Sequence, residues 1–242
     1  MLISNRIYIL IQLIYIFWLI NPDDTISVYQ SCDHQNIDVI TSYEEYLRTV
    51  NKDPNMKLVP LNDSIQGLKL DIRYATENNF TKQKVYSSAD PYLRIPAMRA
   101  LRKVQDSLSK HNMGLIVFDA YRPYSATVKF YEIVKDTRFV ADPKVGSKHN
   151  RGCAIDVSLY DLSTGKELAM PTPFDDFSAK ANATYPELPG DVLQNRALLA
   201  GVMQAFGFLI YPDEWWHFDY QDWENYPLMD IPLEELRVKS EE

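Results

Sequence analysis

Two short segments of the chain combine histidine with acidic residues at spacings that suit metal binding. The first, SKHNRGCAID at residues 147–156, contains His149 and Asp156 on either side of Gly152, which permits a tight turn. Apolar residues alternate with small or polar ones after the glycine, as in a strand, so Asp156 lies on the face opposite the apolar residues. The alternative is an aspartate that faces solvent or satisfies the backbone of a turn.

The second segment, PDEWWHFDY at residues 212–220, places Glu214 and His217 three positions apart among aromatic residues. In a continuous strand these two side chains would lie on opposite faces, since the side-chain period is two. Both can reach one site only if the chain turns between them, and Pro212-Asp213 favours such a turn. The alternative is an aromatic core strand that contains a buried histidine.

Together the two segments supply two imidazoles and one carboxylate, and this number matches the three protein ligands of a catalytic zinc ion. We therefore predict that His149, Asp156 and His217 bind Zn²⁺, one ion per chain. Such an ion lowers the pKa of its water to roughly 7 and polarises a carbonyl group. Glu214 is left to act as the general base and to pass the proton to the leaving amine.

Arg122, in the segment FDAYRPYS at residues 118–125, follows a predicted buried strand and precedes a proline that restricts it to an extended conformation. A fixed guanidinium near the metal would stabilise an anionic tetrahedral intermediate by about 3 kcal/mol. The alternative is an ion pair with Asp119. The two other histidines, His34 and His111, are not predicted to belong to a site.

The elements that must position these residues are helices and strands without regular alternation. A capping box of Ser42 and Glu45 predicts a helix start, and the pattern Leu68, Leu70, Ile72, Tyr74 predicts a half-buried strand over 68–76. Further helices are predicted from Pro96 to a stop near Gly114, within 124–136 and over 191–206, with a strand over 114–120. This order indicates an α+β fold of one domain, with a mainly antiparallel sheet, flanking helices and the zinc site in a central cleft.

Composition narrows the class of partner. The 242 residues are 46% hydrophobic and 24% charged, which is typical of a globular protein with one core. A formal net charge of −8 argues against nucleic acid or an anionic membrane as the main partner, whereas a small zwitterion would be little affected. The oligomeric state is not indicated. Two cysteines, Cys32 and Cys153, predict no structural disulfide.

The first residues differ from the rest of the chain. Arg6 precedes a charge-free apolar run from Ile7 to Ile20, the length of the hydrophobic region of a signal peptide. We predict a signal peptide or N-terminal anchor over 1–27, a tether over 28–40 and the catalytic domain over 41–242. A retained membrane anchor stays open beside cleavage, and in either case the protein is expected to be exported, to the periplasm or the outer face of the cytoplasmic membrane.

Five segments resemble one known family. SKHNRGCAID, DAYRP at 119–123 and EWWHF at 214–218 resemble the zinc D-alanyl-D-alanine dipeptidases of the VanX type, as do LDIRYATENNF at 70–80 and MPTPFD at 170–175. That family belongs to a wider superfamily of zinc D,D-peptidases and Hedgehog-like domains. The resemblance covers roughly residues 60–225. It implies hydrolysis of D,D-dipeptides during cell-wall peptide turnover, with the metal, base and arginine roles given above.

The resemblance also implies a way to recognise the substrate. It indicates Asp175 as the partner of the free amino group of the dipeptide, with the adjacent Asp176 as the alternative, and Ser147 near the substrate carboxylate. Two other functions stay open: a D,D-carboxypeptidase that trims peptidoglycan stem peptides, and a non-catalytic binding module with the same zinc fold. Antibiotic resistance and wall recycling use the same chemistry, and the predicted export favours wall metabolism.

Overall fold

The computed structural model describes residues 37–62 and 64–241, with side chains through residue 238. The predicted signal peptide or anchor over 1–27, most of the predicted tether, Cys32 and His34 lie outside the described residues. The division of the chain at residues 27 and 40 therefore stays a prediction. Among the described residues, no helix combines the length and apolar character needed to cross a membrane.

A five-stranded sheet forms the centre of the fold. Its strand order is β3-β5-β6-β8-β7, with only β3 and β5 parallel and every other pair antiparallel. The strands are β3 (Lys69–Leu70), β5 (Met113–Asp119), β6 (Ala154–Asp161), β7 (Phe208–Ile210) and β8 (His217–Tyr220). Two small pairs lie apart from it: β1 (Val39–Ile40) with β9 (Leu228–Met229), and β2 (Leu58–Pro60) with β4 (Tyr92–Arg94).

Five α-helices accompany the strands in the described residues. They are α1 (Tyr43–Lys52), α2 (Ile95–Ser109), α3 (Tyr124–Val134), α4 (Gly190–Ala205) and α5 (Leu233–Glu241). Ser42 caps α1 by accepting a hydrogen bond from the Glu45 amide at 3.3 Å, as the capping box predicts. The predicted apolar face of α2 is buried, because Met98, Leu101, Val104 and Leu108 all belong to the core. The α+β fold with a mainly antiparallel sheet and flanking helices is thus confirmed.

Two predicted elements are wrong in detail. The strand predicted over 68–76 stops at Leu70, and a 3-10 turn over Arg73–Ala75 follows. Local hydrogen bonds stabilise this turn. The Asp71 carboxylate accepts from the Arg73 side chain at 2.9 Å, and the Tyr74 carbonyl accepts from the amides of Val85 and Tyr86. Gly114 does not end α2, which finishes at Ser109. The glycine lies in β5, where a side chain would collide with the ring of Tyr160.

Candidate metal centre

The middle of the sheet brings Asp156 and His217 side by side. They are direct cross-strand partners in the antiparallel pair of β6 and β8, although 61 residues separate them in the chain. His149 comes from the 3-10 turn His149–Arg151, which ends at Gly152 with φ of 70°. The turn predicted from the glycine and the strand predicted around Asp156 therefore both exist, and together they return the chain so that His149 reaches the strand.

The three side chains place one atom each in a small triangle. His149 Nε2 lies 3.1 Å from His217 Nδ1 and 3.4 Å from Asp156 Oδ1, and His217 Nδ1 lies 3.0 Å from Asp156 Oδ1. A tetrahedral zinc ion with bonds of about 2.0–2.1 Å requires ligand atoms roughly 3.3 Å apart. All three residues are buried, so solvent only weakly screens the interactions between their charges. The donor set fits a zinc ion in atom type, number and spacing.

Hydrogen bonds outside the triangle orient its nitrogens. His149 Nδ1 lies 2.6 Å from the Ala120 carbonyl, which can only accept, so Nδ1 carries the proton and the lone pair of Nε2 faces the triangle. His217 Nε2 lies 2.9 Å from Asp219 Oδ1, which leaves Nδ1 as the inward atom. Burial alone would lower the pKa of His217, but Asp219 and Asp156 raise it to about 10. The cluster therefore favours a positive charge at its centre.

Glu214 lies beside this triangle without belonging to it. The chain turns over residues 211–216 before β8 begins at His217, so Glu214 and His217 point to one site as the turn at Pro212-Asp213 predicts. Glu214 Oε2 is 3.8 Å from His217 Nδ1. Burial raises the pKa of the Glu214 carboxyl to about 8, so this group can exchange a proton near neutral pH.

Arg122 combines the two arrangements considered for it. Its Nε and Nη2 atoms donate to Asp119 Oδ2 at 3.0 and 2.7 Å, so it does pair with Asp119. The same Nη2 atom lies 4.0 Å from Asp156 Oδ2, at the edge of the triangle. Tyr86 donates to the other oxygen of Asp119 at 2.9 Å. The ion pair thus fixes the guanidinium next to the metal ligands instead of removing it from the site.

One cleft joins all seven residues predicted for the site. It has a volume of about 320 Å³, and its lining includes His149, Asp156, His217, Glu214, Arg122, Ser147 and Asp175. Aromatic rings form much of its remaining wall: Tyr74, Phe80, Phe130, Phe139, Phe177, Tyr211 and Trp216. A cleft of this size with a few convergent polar groups suits a small ligand.

The two adjacent aspartates predicted for amine recognition differ in surroundings. Asp175 lines the cleft, accepting from the Tyr74 hydroxyl at 2.9 Å and from the Phe80 amide at 3.3 Å. Burial raises its pKa to about 7. Asp176 is absent from the lining residues, and its Oδ1 accepts from the Ser178 amide at 2.7 Å. The geometry favours Asp175 over Asp176.

Sequence reasoning missed three residues around the site. The alternation over 68–76 predicts Tyr74 on a sheet face, yet its hydroxyl donates to Asp175 Oδ1 at 2.9 Å. Asp219 supports His217, and Lys148 pairs with Asp219 at 2.9 Å. One signal was available: His217 and Asp219 are two positions apart, so they share a face of a strand. Cys153, in contrast, is buried and unpaired, and burial raises its pKa to about 12, so it is not a reactive thiol.

Gly152 gives a prediction about stability. A Cβ atom at this position would meet Leu58 Cδ2 at 2.5 Å, and the backbone has φ of 70°. Gly152→Ala is expected to lower the free energy of unfolding by about 2–4 kcal/mol, through left-handed strain and overpacking together. Gly165→Ala is the matched control, because φ is 68° there and nothing lies within 4 Å. Denaturant titration that gave equal losses for both variants would contradict the close approach.

Comparison with known proteins shows which family this chain is similar to. A family model described as D-ala-D-ala dipeptidase matches residues 54–232. The curated D-alanyl-D-alanine dipeptidase of Escherichia coli (strain K12) is 34% identical over 173 residues, 72% of this chain and 89% of that protein. The corresponding protein of Enterococcus faecalis (strain ATCC 700802 / V583) is 30% identical over 187 residues, covering 69% and 92%.

A solved structure, the vancomycin resistance D,D-dipeptidase VanXYg in complex with a D-Ala-D-Ala phosphinate analog, aligns at 20% identity. The alignment covers 75% of this chain and 62% of that one, with a TM-score of 0.35.

Proposed function

The chain belongs to the D-ala-D-ala dipeptidase family, and from this premise we propose that it hydrolyses D-alanyl-D-alanine or related D,D-dipeptides with one Zn²⁺ held by His149, Asp156 and His217. The observation that carries the proposal is the triangle of inward-facing ligand atoms, 3.0–3.4 Å apart, in a cleft that also contains a spare buried carboxylate. A bound zinc ion supplies Lewis acidity toward a carbonyl oxygen and acidifies a water molecule.

Glu214 is the residue best placed to move protons. Its carboxylate is buried next to the ligand triangle, and Oε2 lies 3.8 Å from His217 Nδ1, beyond hydrogen-bonding range. In the proposed reaction Glu214 Oε2 takes a proton from the attacking water and delivers it to the nitrogen of the leaving amino acid. A carboxylate whose pKa is raised to about 8 holds that proton between the two steps near neutral pH.

Arg122 stabilises the negative charge that develops on the carbonyl oxygen. Its guanidinium is buried, fixed by two hydrogen bonds to Asp119, and stacked over the rings of Tyr74 and Phe130 at 5.4 and 4.9 Å. A donor that is held in place before the reaction has no reorganisation cost when charge develops. Asp119 is therefore a positioning residue for Arg122.

Asp175 and Ser147 give the cleft its preference for a zwitterionic dipeptide. Asp175 offers a carboxylate to the free amino group. Ser147 also lines the cleft, next to His149, and offers its hydroxyl to the substrate carboxylate. A longer peptide acylated at this nitrogen would leave the buried Asp175 without a cationic partner, which is costly. This supports the dipeptidase over a D,D-carboxypeptidase.

The pair Asp175 and Asp176 allows a matched test of amine recognition. Asp175→Asn is expected to lower kcat/KM for D-alanyl-D-alanine by about 30-fold or more, because a charged hydrogen bond to the substrate is lost. Asp176→Asn removes the same charge one residue away and is expected to change kcat/KM less than threefold. Steady-state kinetics on both variants checks this, and the reverse ranking would assign the amine to Asp176.

The proposed activity is tested with one preparation of the full chain. Zinc content is measured, and hydrolysis is followed for L,L-, L,D- and D,D-dipeptides and for a pentapeptide ending in D-alanyl-D-alanine. We expect one zinc per chain and cleavage of D,D-dipeptides alone. Preferred cleavage of the pentapeptide would support the carboxypeptidase, and zinc binding without any hydrolysis would support a binding module.

For location, we propose that the protein is exported and acts on wall-derived dipeptides. The charge-free apolar run from Ile7 to Ile20 after Arg6 supports export. Cell fractionation of the full chain tests this, with recovery in the cytoplasmic fraction as the contradicting result.

A further inference from the structure

A line of polar groups behind His217 has no role in the mechanism above. His217 Nε2 donates to Asp219 Oδ1 at 2.9 Å, and Lys148 Nζ lies 2.9 Å from Asp219 Oδ2. The ammonium group is itself held over two rings, Tyr211 at 5.7 Å and Trp223 at 5.3 Å. Asp219 is buried, with only 6% of its surface exposed, whereas 31% of the Lys148 side chain is exposed, so solvent reaches the ion pair from the lysine side only.

The two histidines of the triangle therefore have different outer partners. His149 donates to a neutral backbone carbonyl, that of Ala120, whereas His217 donates to a carboxylate. A carboxylate on the outer nitrogen fixes the tautomer and ring orientation of a ligand and increases its basicity. His217 thus depends on a side chain that can be replaced, whereas the partner of His149 belongs to the backbone.

The ion pair also connects two separate ligand-bearing segments. Lys148 immediately precedes His149 in the turn before β6, and Asp219 lies on β8 two residues after His217. Among the residues described, this is the one ion pair that joins the two segments on the outer side of the triangle. The contact between Lys148 and Asp219 therefore adds a side-chain link to the backbone pairing of Ala154 with Asp219.

We propose that Asp219 and Lys148 are positioning residues for the metal centre: Asp219 holds His217 with Nδ1 facing inward, and Lys148 anchors Asp219 while tying the His149 turn to β8. This inference rests on the proposed zinc site. Lys148 lines the cleft, so zinc affinity is the readout that isolates its positioning role. Asp219 does not line the cleft, and the first effect of losing Asp219 is on metal binding. Turnover by enzyme saturated with zinc is affected less.

The test measures zinc affinity by competition with a chelating indicator, for the full chain and three variants. Asp219→Ala is expected to weaken zinc binding by about 10- to 100-fold. Asp219→Asn keeps an acceptor oxygen and loses the charge, so a smaller loss is expected. Lys148→Met keeps most of the apolar stem over the rings and removes the anchor, and we expect its loss to lie below that of Asp219→Ala.

Controls separate positioning from general stability. Asp222→Asn removes a carboxylate from an exposed position on the same segment and is expected to bind zinc as tightly as the wild type. Thermal unfolding of each chain without zinc shows whether the variants fold. If Asp219→Ala does not fold, Asp219→Asn and Lys148→Met decide, and both must weaken zinc binding more than Asp222→Asn does.

The outcomes distinguish this inference from the proposed function. A wild-type protein that binds zinc, with Asp219 variants that bind it within twofold of the same affinity, would overturn the positioning role alone. A wild-type protein that binds no zinc would overturn the proposed function and this inference together. Weakened binding in folded Asp219 and Lys148 variants, with Asp222→Asn unchanged, supports it.

Discussion

Glu214→Gln is expected to lower kcat for D-alanyl-D-alanine by about 10²- to 10⁴-fold while leaving zinc bound. Glutamine keeps the shape and polarity of the side chain but cannot accept and release a proton, and general acid–base catalysis contributes a factor of this size. Because Glu214 lies outside the ligand triangle, with Oε2 3.8 Å from His217 Nδ1, the metal keeps all three of its proposed protein ligands.

The measurement combines steady-state kinetics with metal analysis of the same samples. Glu224→Gln is the matched control, because this glutamate is exposed and lies ten residues further along the chain. Near-normal turnover by Glu214→Gln would remove Glu214 from its proton-transfer role. Loss of zinc together with turnover would instead make it a ligand.

His149→Ala is expected to abolish hydrolysis, with a loss of more than about 10³-fold, and a chelator is expected to do the same to the wild-type protein. The metal provides several kcal/mol of charge stabilisation that Arg122 and Glu214 cannot replace. Adding zinc back is expected to restore the chelated wild type and to leave His149→Ala inactive, because two remaining ligands bind the ion weakly.

The thermal stability of the protein gives a second measurement of the loss of zinc binding in His149→Ala. Zinc at 1,000 times its Kd stabilises a folded chain by about 4 kcal/mol, so the wild-type Tm is expected to rise with added zinc. His149→Ala is expected to show little rise. His111→Ala is the control, since His111 is exposed just after α2. Equal rises in Tm for the two variants would place the metal elsewhere.

Much of the site could be predicted from the sequence because its residues follow local rules. Strand parity placed Asp156 away from the apolar face, Gly152 indicated the turn before it, and Pro212-Asp213 indicated the turn that lets Glu214 join His217. These features need only a few neighbouring residues to be recognised. Asp175 and Ser147 were different, since only the resemblance to a family pointed to them.

The errors arose where tertiary contacts override a local pattern. Alternation over residues 68–76 is typical of a strand, but the chain leaves the sheet after Leu70 and turns, and Tyr74 then reaches Asp175 from 101 residues away. The partnership of Lys148 with Asp219 also joins residues far apart in the chain. Periodicity carries no information about such contacts.

The placement of Asp156 and His217 as cross-strand neighbours has a consequence for how the protein can diversify. The metal ligands lie on or next to central strands, whose register is fixed by backbone hydrogen bonds. Much of the cleft wall comes instead from connecting segments, residues 137–147 after α3 and 175–177 among them. Loops tolerate substitution better than a buried sheet does. Mutations in these loops can therefore shift the range of accepted dipeptides over generations while the hydrolytic chemistry is inherited unchanged.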